Sequence, residues 1–282
     1  MQAIKSGDTN RLRELVRQDP SLATGRSKTS HPTLLQCLVL DARDNSAAKE
    51  MAEVLIHAGA ELNAPLIACS SCDNVKIAEL LMDRGTAVDS SVGRWSPIEE
   101  ALYWNSQGMI ALLLKRGASI HNLRIAAGLG RTDMIETFFN NDGSLKATAG
   151  SINWPWGGVD VIKESNFNAQ GRDRLVATVS SWNNDARDIV NNAFVYACMH
   201  GHVDAATLLL KKGAKINTIP GGFDFAGTGL HYAALNGHRE MVEFLIQQGA
   251  DRNRRDTKVG STPAGWAEHG GHPELKRYLE GT

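Results

Sequence analysis

The stretch TGLHYAALNGHREMVEFLIQQGADRN, residues 228–253, decides the fold of this chain. Thr228 is a typical N-cap for a short helix, because its hydroxyl can accept an unpaired backbone N–H. Gly237-His238 predicts a tight turn, where glycine adopts a left-handed conformation without strain. Apolar residues then recur at helical spacing up to Gly249, which ends a second helix. The stretch therefore predicts two short helices joined by a turn and followed by a polar loop.

Both halves of this stretch recur along the chain. The helix end with its Gly-Ala pair appears as LIHAGAELN at 55–63, LLKRGASIHN at 113–122, LLKKGAKIN at 209–217 and LIQQGADRN at 245–253. The turn glycines Gly201, Gly237 and Gly271 are 36 and 34 residues apart, near the period of about 33 of one repeat class. One helix pair cannot bury its own apolar face, so such units must stack.

The segment TGLHYAALNGH, residues 228–238, resembles the T-P-L-H-x-A-A-x-x-G-H motif of ankyrin repeats, with Gly229 in place of the proline. The resemblance implies an all-α solenoid of stacked helix-turn-helix units. The segment GSTPAGWAEHGGHPEL, at 260–275, is also similar to bacterial ankyrin-repeat proteins of undefined role. The implied units are 1–29, 30–63, 64–92, 93–121, 122–143, 189–221, 226–258 and 259–282.

The period breaks between residues 144 and 188, which fit no repeat. We expect about five degenerate units in 1–143, a non-repeat insert at 144–188, and three units in 189–282, of which the last is a cap. The insert carries aromatic residues, which disordered linkers lack, so we expect it to fold against the solenoid. A strand or turn is expected near Gly157–Ile162 and a helix near Asp173–Trp182.

The family pattern implies which positions of each first helix face a groove on the concave side. These candidate binding residues are Glu100, Tyr103, Trp104, Tyr196, His200, Tyr232, Asn236, Trp266 and His269. Tyr196, Tyr232 and Trp266 should form one aromatic column, either lining a ligand groove or packing on one another.

Two further groups of residues are candidates for the same groove. Insertions in repeat proteins often map to the binding face, so Trp154 or Trp156 of the insert is expected to help close a pocket there. The long loop at 218–227 adds Phe223, Asp224 and Phe225, which either contact a partner or anchor the loop.

Composition and motifs exclude several function classes. A net charge of -1 argues against a nucleic-acid partner, and no apolar run is long enough for a membrane span. Four cysteines are too few for a disulfide framework, which favours a cytoplasmic location. Cys69 and Cys72 form a C-x-x-C without the context of a redox or zinc site. We expect no catalytic residues, no metal and no cofactor.

Two functions remain open. The first is an interaction protein that binds a protein segment or peptide in the concave aromatic groove. The alternative is a small-molecule-binding protein or an unusual enzyme, in which the groove is a pocket and the 144–188 insert is its lid. The chain is therefore more readily explained as a non-enzyme, with a protein or peptide partner expected and a small-molecule ligand as the alternative.

Overall fold

The computed structural model describes residues 1–27, 33–41, 46–91, 95–152, 169–223 and 226–281. These residues form helices, turns and loops, and they contain no strand; an isolated bridge joins Phe139 and Leu145. The predicted all-α class is confirmed. Within the described residues, the chain divides into two compact units. The first unit comprises the segments Met1–Ser119 and Pro155–Ala177, and the second comprises Ile120–Trp154 and Thr178–Thr282.

The first unit is a stack of short helix pairs. Helices α4, α6 and α8 contact one another in order and form a row of first helices, while α5, α7 and α9 form a parallel row of second helices. The bounds are α1 (Gln2–Ser6), α2 (Thr9–Gln18), α3 (Ser21–Thr24), α4 (Leu34–Asp41), α5 (Ala48–His57), α6 (Asn63–Ser71), α7 (Val75–Asp83), α8 (Pro97–Tyr103) and α9 (Gln107–Lys115).

The second unit repeats this arrangement. Its first helices are α10, α13, α15 and α17, and its second helices are α11, α14, α16 and α18. The bounds are α10 (Leu123–Gly128), α11 (Thr132–Thr137), a 3-10 helix (Ala147–Ala149), α13 (Ala186–Met199), α14 (Val203–Lys211), α15 (Gly229–Leu235), α16 (Arg239–Gln247), α17 (Pro263–His269) and α18 (Pro273–Glu280). Helix α12 (Ala169–Ser180) confirms the helix expected near Asp173–Trp182.

The two rows of helices are buried differently. In α13 every residue from Val190 to Met199 is buried, which is typical of a helix covered on all sides. In α16 the buried residues are Met241, Val242 and Leu245, which share one face. Small and apolar residues in the first helices therefore allow close packing between neighbours, while the second helices keep a solvent-exposed side.

Three first helices begin with a side-chain cap, and the cap predicted at Thr228 is confirmed. Ser96 caps α8 in a capping box with Glu99, and Thr228 caps α15 in the same way with His231. Thr262 caps α17 by accepting a hydrogen bond from the backbone N–H of Gly265. These side chains satisfy backbone donors that a helix start leaves without partners.

The turn between first and second helix requires a left-handed residue. Gly237 has φ 73°, whereas Asp73 and Asn105 occupy the equivalent position at φ 55° without being glycine. The Asp73 carboxylate accepts hydrogen bonds from the backbone N–H groups of Gly108 and Met109, at 3.2 and 2.6 Å. It thereby braces the start of α9 in the next helix pair, which explains an acidic residue at a strained position.

Two described parts of the 144–188 insert, at Ile152 and at Trp182 to Asn184, pack within the second unit. The Ile152 backbone N–H donates to the Asn184 side chain, and the Asn184 amide donates back to the Ile152 carbonyl at 3.3 Å. Ile152 is buried, and Trp182 lies so close to Gly221 that a side chain at that glycine would overlap the indole. The strand or turn expected near Gly157–Ile162 lies outside the described residues.

Candidate binding surfaces

The second unit brings the predicted aromatic positions together in an aromatic row, which consists of Tyr196, Phe223, Tyr232 and Trp266. The ring centroids of Tyr196 and Phe223 are 5.0 Å apart, and those of Phe223 and Tyr232 are also 5.0 Å apart. The Tyr232 and Trp266 rings follow at 5.1 Å in an edge-to-face arrangement. Three successive first helices and the 218–227 loop therefore supply one continuous line of rings.

The rings of the aromatic row are buried rather than displayed. All four have an exposed fraction of 7% or less. Of the two alternatives for Tyr196, Tyr232 and Trp266, this burial favours rings that pack on their neighbours over rings that line an open groove. The physical reason is Phe223, which enters from its loop between Tyr196 and Tyr232 and makes the contacts that a ligand would otherwise make. Phe223 is thus an anchor of the loop and not an exposed tip residue.

Trp266 is held by a residue that the sequence analysis did not single out. Its indole Nε1–H donates to the Asp256 carboxylate at 3.0 Å, and its ring meets the His231 ring edge-to-face at 5.1 Å. His231 in turn bonds to the Thr228 hydroxyl and to the Ser261 carbonyl. The repeat motif gives no signal for Asp256, because this residue lies in the loop between two units.

Asp256 organises the loop before α17. Its carboxylate is buried and accepts backbone N–H groups from Lys258, Val259, Gly260 and Ser261 in addition to the Trp266 indole. Burial alone would raise the pKa of this carboxyl group. The hydrogen bonds from Val259, Trp266, Lys258 and Ser261 outweigh burial, and the pKa falls to about 2. The loop is therefore built around an ionised carboxylate at neutral pH.

The polar candidates of the second unit differ in accessibility. Asn236 donates its amide to the carbonyls of Met199 and Tyr232, both at 3.1 Å, so it ties two neighbouring first helices together. His200 is half-buried, and its ring is stacked on that of His202 with centroids 6.3 Å apart. His269 is exposed at the end of α17. Among these three, His269 is the most accessible to a partner.

The first unit holds a second group of candidates, the Trp104 corner, which consists of Trp95, Glu100, Tyr103 and Trp104. Glu100 is buried on α8, and its two carboxylate oxygens accept the indole N–H groups of Trp95 at 2.6 Å and Trp104 at 2.9 Å. The Tyr103 ring stands nearly perpendicular to both indoles, at 6.3 Å from Trp95 and 5.2 Å from Trp104.

Trp104 is the exposed member of this corner. Its exposed fraction is 45%, whereas Trp95 is 1% exposed and Tyr103 is half-buried. Trp95 was missed at the sequence level, although a tryptophan directly before the Ser96-Pro97 helix start is a signal that could have identified it. The remaining candidates Trp154, Trp156, Asp224 and Phe225 lie outside the described residues.

Other chemistry is limited in the described part of the chain. A cavity of about 10 Å³ in the second unit, lined among others by Asn122, Arg124 and Asn192, has room for roughly one water molecule. Burial raises the pKa of the Cys69 thiol well above its usual value, so it is a poor nucleophile. No three His, Cys, Asp or Glu side chains of the described residues are grouped to hold a metal ion.

No helix within the described ranges is both long and apolar enough to cross a membrane. Residues 194–246 match the family model for ankyrin repeats, which occur in many copies. The match covers the second half of α13, then α14, α15 and α16, together with three of the four rings of the aromatic row. This segment of the chain is therefore a run of ankyrin repeats, which supports the predicted resemblance to the ankyrin-repeat family. Among curated proteins, none matches the chain in sequence.

Proposed function

We propose that the chain is an interaction protein that binds a segment of a protein partner along its first helices. Ankyrin repeats generally mediate protein–protein interaction, which gives the class of function. The proposed binding surface is identified by Trp104, a large aromatic side chain that is 45% exposed at the end of a first helix. Tryptophan is enriched among the residues that dominate binding energy at interfaces.

The fixed orientation of the Trp104 side chain supports its role as a binding residue. Trp104 is oriented by a hydrogen bond to buried Glu100 and by the perpendicular Tyr103 ring. A side chain that is fixed before binding loses little conformational entropy when a partner covers it. An exposed and oriented indole is therefore suited to act as an anchor point for a peptide.

The small-molecule alternative finds less support in the second unit. A ligand between Tyr196 and Tyr232 would have to displace Phe223, which occupies that space. A drug-sized ligand needs an enclosed pocket of about 300 Å³ or more. The recess of about 420 Å³ at Asn140, Asn141, Asp142 and Lys146 is largely open to solvent and is lined by none of these rings. Several predictions from the sequence remain predictions. They are a lid formed by residues 144–188, a division of the chain into 1–143, 144–188 and 189–282, a bacterial type of protein and a cytoplasmic location.

A peptide-display selection against the full chain tests the proposal. Peptides recovered from a library of unstructured protein segments would be measured against the wild type and against Trp104→Ala, His200→Ala and His269→Ala. Leu114→Ala is the matched control, because Leu114 is 41% exposed on α9, a second helix of the same helix pair. We expect at least one first-helix substitution to weaken binding about tenfold, with the control unchanged.

The result that would overturn the proposal is equally specific. If no library peptide binds the folded chain, or if binding is insensitive to all three first-helix substitutions, the first helices are not a peptide-binding surface. Circular dichroism of each variant shows whether the helical stack is retained, so that a loss of binding is attributable to the removed side chain.

A further inference from the structure

We propose that the basic loop, which consists of residues 251–260 between α16 and α17, binds an acidic segment of a partner protein through its arginine side chains. The loop uses none of the first-helix residues of the proposed function, so the two proposals stand or fall separately. It carries four basic and two acidic residues, whereas the whole chain has a net charge of -1. Positive charge is therefore concentrated at this point of a nearly neutral chain.

The two acidic residues of the basic loop bind its own backbone. Asp256 is buried, and its carboxylate accepts the N–H groups of residues 258–261. The Asp251 carboxylate accepts the N–H of Asn253 at 2.9 Å. In the described part of the chain, no carboxylate forms an ion pair with Arg254 or Arg255, and both arginines are exposed. The charges of these two arginines are therefore available to a partner.

Hydrogen bonds close the backbone of the basic loop. The Asp256 N–H donates to the Ser261 carbonyl at 2.9 Å, which joins the two ends of the tip. The Thr257 N–H donates to the Ala226 carbonyl at 3.0 Å and ties the tip to the preceding loop. A loop that is ordered before binding loses little conformational entropy when a partner contacts it.

Two arginine side chains of the loop are positioned as well. The Arg252 guanidinium lies over the Tyr278 ring of α18, 5.5 Å from its centroid. The Nη1–H of Arg255 donates to the Gly260 carbonyl. A guanidinium group has five N–H donors, so these contacts leave donors of each arginine for a ligand. Arg254 lies between them in the sequence and extends the same surface.

The chemistry of the loop points to carboxylates of a protein segment. Guanidinium groups pair with carboxylates or phosphates through two parallel hydrogen bonds. Val259, in the same loop, is 69% exposed and offers an apolar contact that a phosphate backbone would not use. The net charge of -1 gives the whole chain no general attraction for a long nucleic acid. The ligand assigned here is an acidic peptide with an apolar side chain among its carboxylates.

Fluorescence anisotropy with the full chain tests this assignment. The probe is a labelled pentapeptide with four glutamates around a central leucine, and its control peptide has glutamines in place of the glutamates. We expect the double variant Arg254→Gln/Arg255→Gln to bind the glutamate peptide about tenfold more weakly than the wild type. Arg187→Gln/Lys211→Gln is the matched control, because it removes two exposed charges of the same unit outside the loop.

Asp256→Asn distinguishes an ordered site from a general attraction between charges. The substitution removes a negative charge, so a purely electrostatic attraction for the glutamate peptide would become stronger. It also removes the ionised acceptor that closes the loop, so binding to an ordered site becomes weaker. We expect about threefold weaker binding, at a temperature at which circular dichroism shows the helical stack to be intact.

Four results would overturn the inference. They are equal binding of the glutamine and glutamate peptides, equal effects of the two double variants, tighter binding by Asp256→Asn, and a thymidine decanucleotide that binds more tightly than the glutamate peptide through Arg254. Trp104→Ala should bind the glutamate peptide like the wild type. If selected library peptides fail to bind the first helices while the glutamate peptide still binds, the proposed function fails and the acidic-segment site stands.

Discussion

Asp256 illustrates how one residue outside the repeat motif supports the residues inside it. Its carboxylate collects four backbone N–H groups and the Trp266 indole, and so it links the loop to the aromatic row. Buried carboxylates are stable only when such donors replace the lost water. The position of Trp266 in the stack therefore depends on a residue ten positions earlier.

Substitution of Asp256 by Asn should destabilise the protein. The amide cannot accept all five hydrogen bonds, and its NH₂ group would face backbone donors, so we expect a loss of about 2 kcal/mol in the free energy of unfolding. Urea denaturation of the full chain measures it. Asp251→Asn is the control, because exposed Asp251 accepts a single local N–H from Asn253 and its loss should cost less than about 0.5 kcal/mol. Equal effects of the two substitutions would show that the buried carboxylate has no special role.

At the scale of elements, the turn between the two helices of a pair is subject to two opposing effects. The left-handed backbone favours glycine, whereas the hydrogen bonds to the next helix pair require a side chain. At the φ of 55° found at Asp73, glycine would cause the least backbone strain, because it has no Cβ atom. We nevertheless expect Asp73→Gly to lower the free energy of unfolding by about 1–2 kcal/mol, because two hydrogen bonds to the start of α9 are lost. Asn105→Gly, in the equivalent turn, is the comparison, and we expect a smaller loss because the described hydrogen bond of that side chain is an exposed, local one from Gln107. A stabilising effect of Asp73→Gly would contradict this account.

The loop at 218–227 yields a second prediction at this scale. Phe223→Ala removes a buried ring from between Tyr196 and Tyr232 and should cost about 3–5 kcal/mol, as large-to-small core substitutions do. Thermal unfolding of the variant measures the loss. Val259→Ala, a truncation of a side chain that is 69% exposed, should leave the melting temperature unchanged. A small effect at Phe223 would mean that the aromatic row closes without it.

The helical repeat could be predicted because caps, turn glycines and apolar spacing recur locally in the sequence. The neighbouring arrangement of Tyr196, Tyr232 and Trp266 could also be predicted, because they occupy the same motif position in successive units. Their burial could not be predicted, because it depends on Phe223, which comes from a loop of irregular length. Trp95 and Asp256 were missed for a similar reason, since both act through contacts just outside the repeat motif. Phe225 and Trp154, expected near the groove, lie outside the described residues.

At the scale of the whole molecule, the stacked units withdraw several histidines from water: His202 and His238 are half-buried at the same position of successive units, and His231 is buried within α15. Burial lowers the pKa of His202, His231 and His238, although backbone hydrogen bonds partly oppose the shift. The folded state therefore binds protons less readily than the unfolded state, whose histidines titrate near 6.5. Stability is fully present above this pH and is lost as the pH falls through 6.5 towards the lower folded values.

We expect two separate pH windows in the free energy of unfolding. The histidines produce a decline below about pH 6.5, and Asp256 adds a further decline between about pH 4 and 2, because its folded pKa is about 2 against 3.8 in an ordinary carboxyl. Urea denaturation at a series of pH values measures both. His202→Gln should reduce the first decline in part, because His231 and His238 still contribute, whereas a pH-independent stability between pH 8 and 5 would refute the histidine contribution.

The Asp256 loop also has a consequence for proteolysis. Arg254, Arg255 and Lys258 are exposed trypsin cleavage points on either side of Asp256. A protease must draw several residues of its substrate into an extended strand, and the hydrogen bonds to Asp256 hold this backbone in a closed curve. We expect limited trypsin digestion to spare the loop in the wild type and to cut it early in Asp256→Asn, with the fragments identified by mass spectrometry. Early cleavage of the wild-type loop would show that its backbone opens without global unfolding. One buried carboxylate would thus make an exposed, basic loop resistant to proteolytic cleavage.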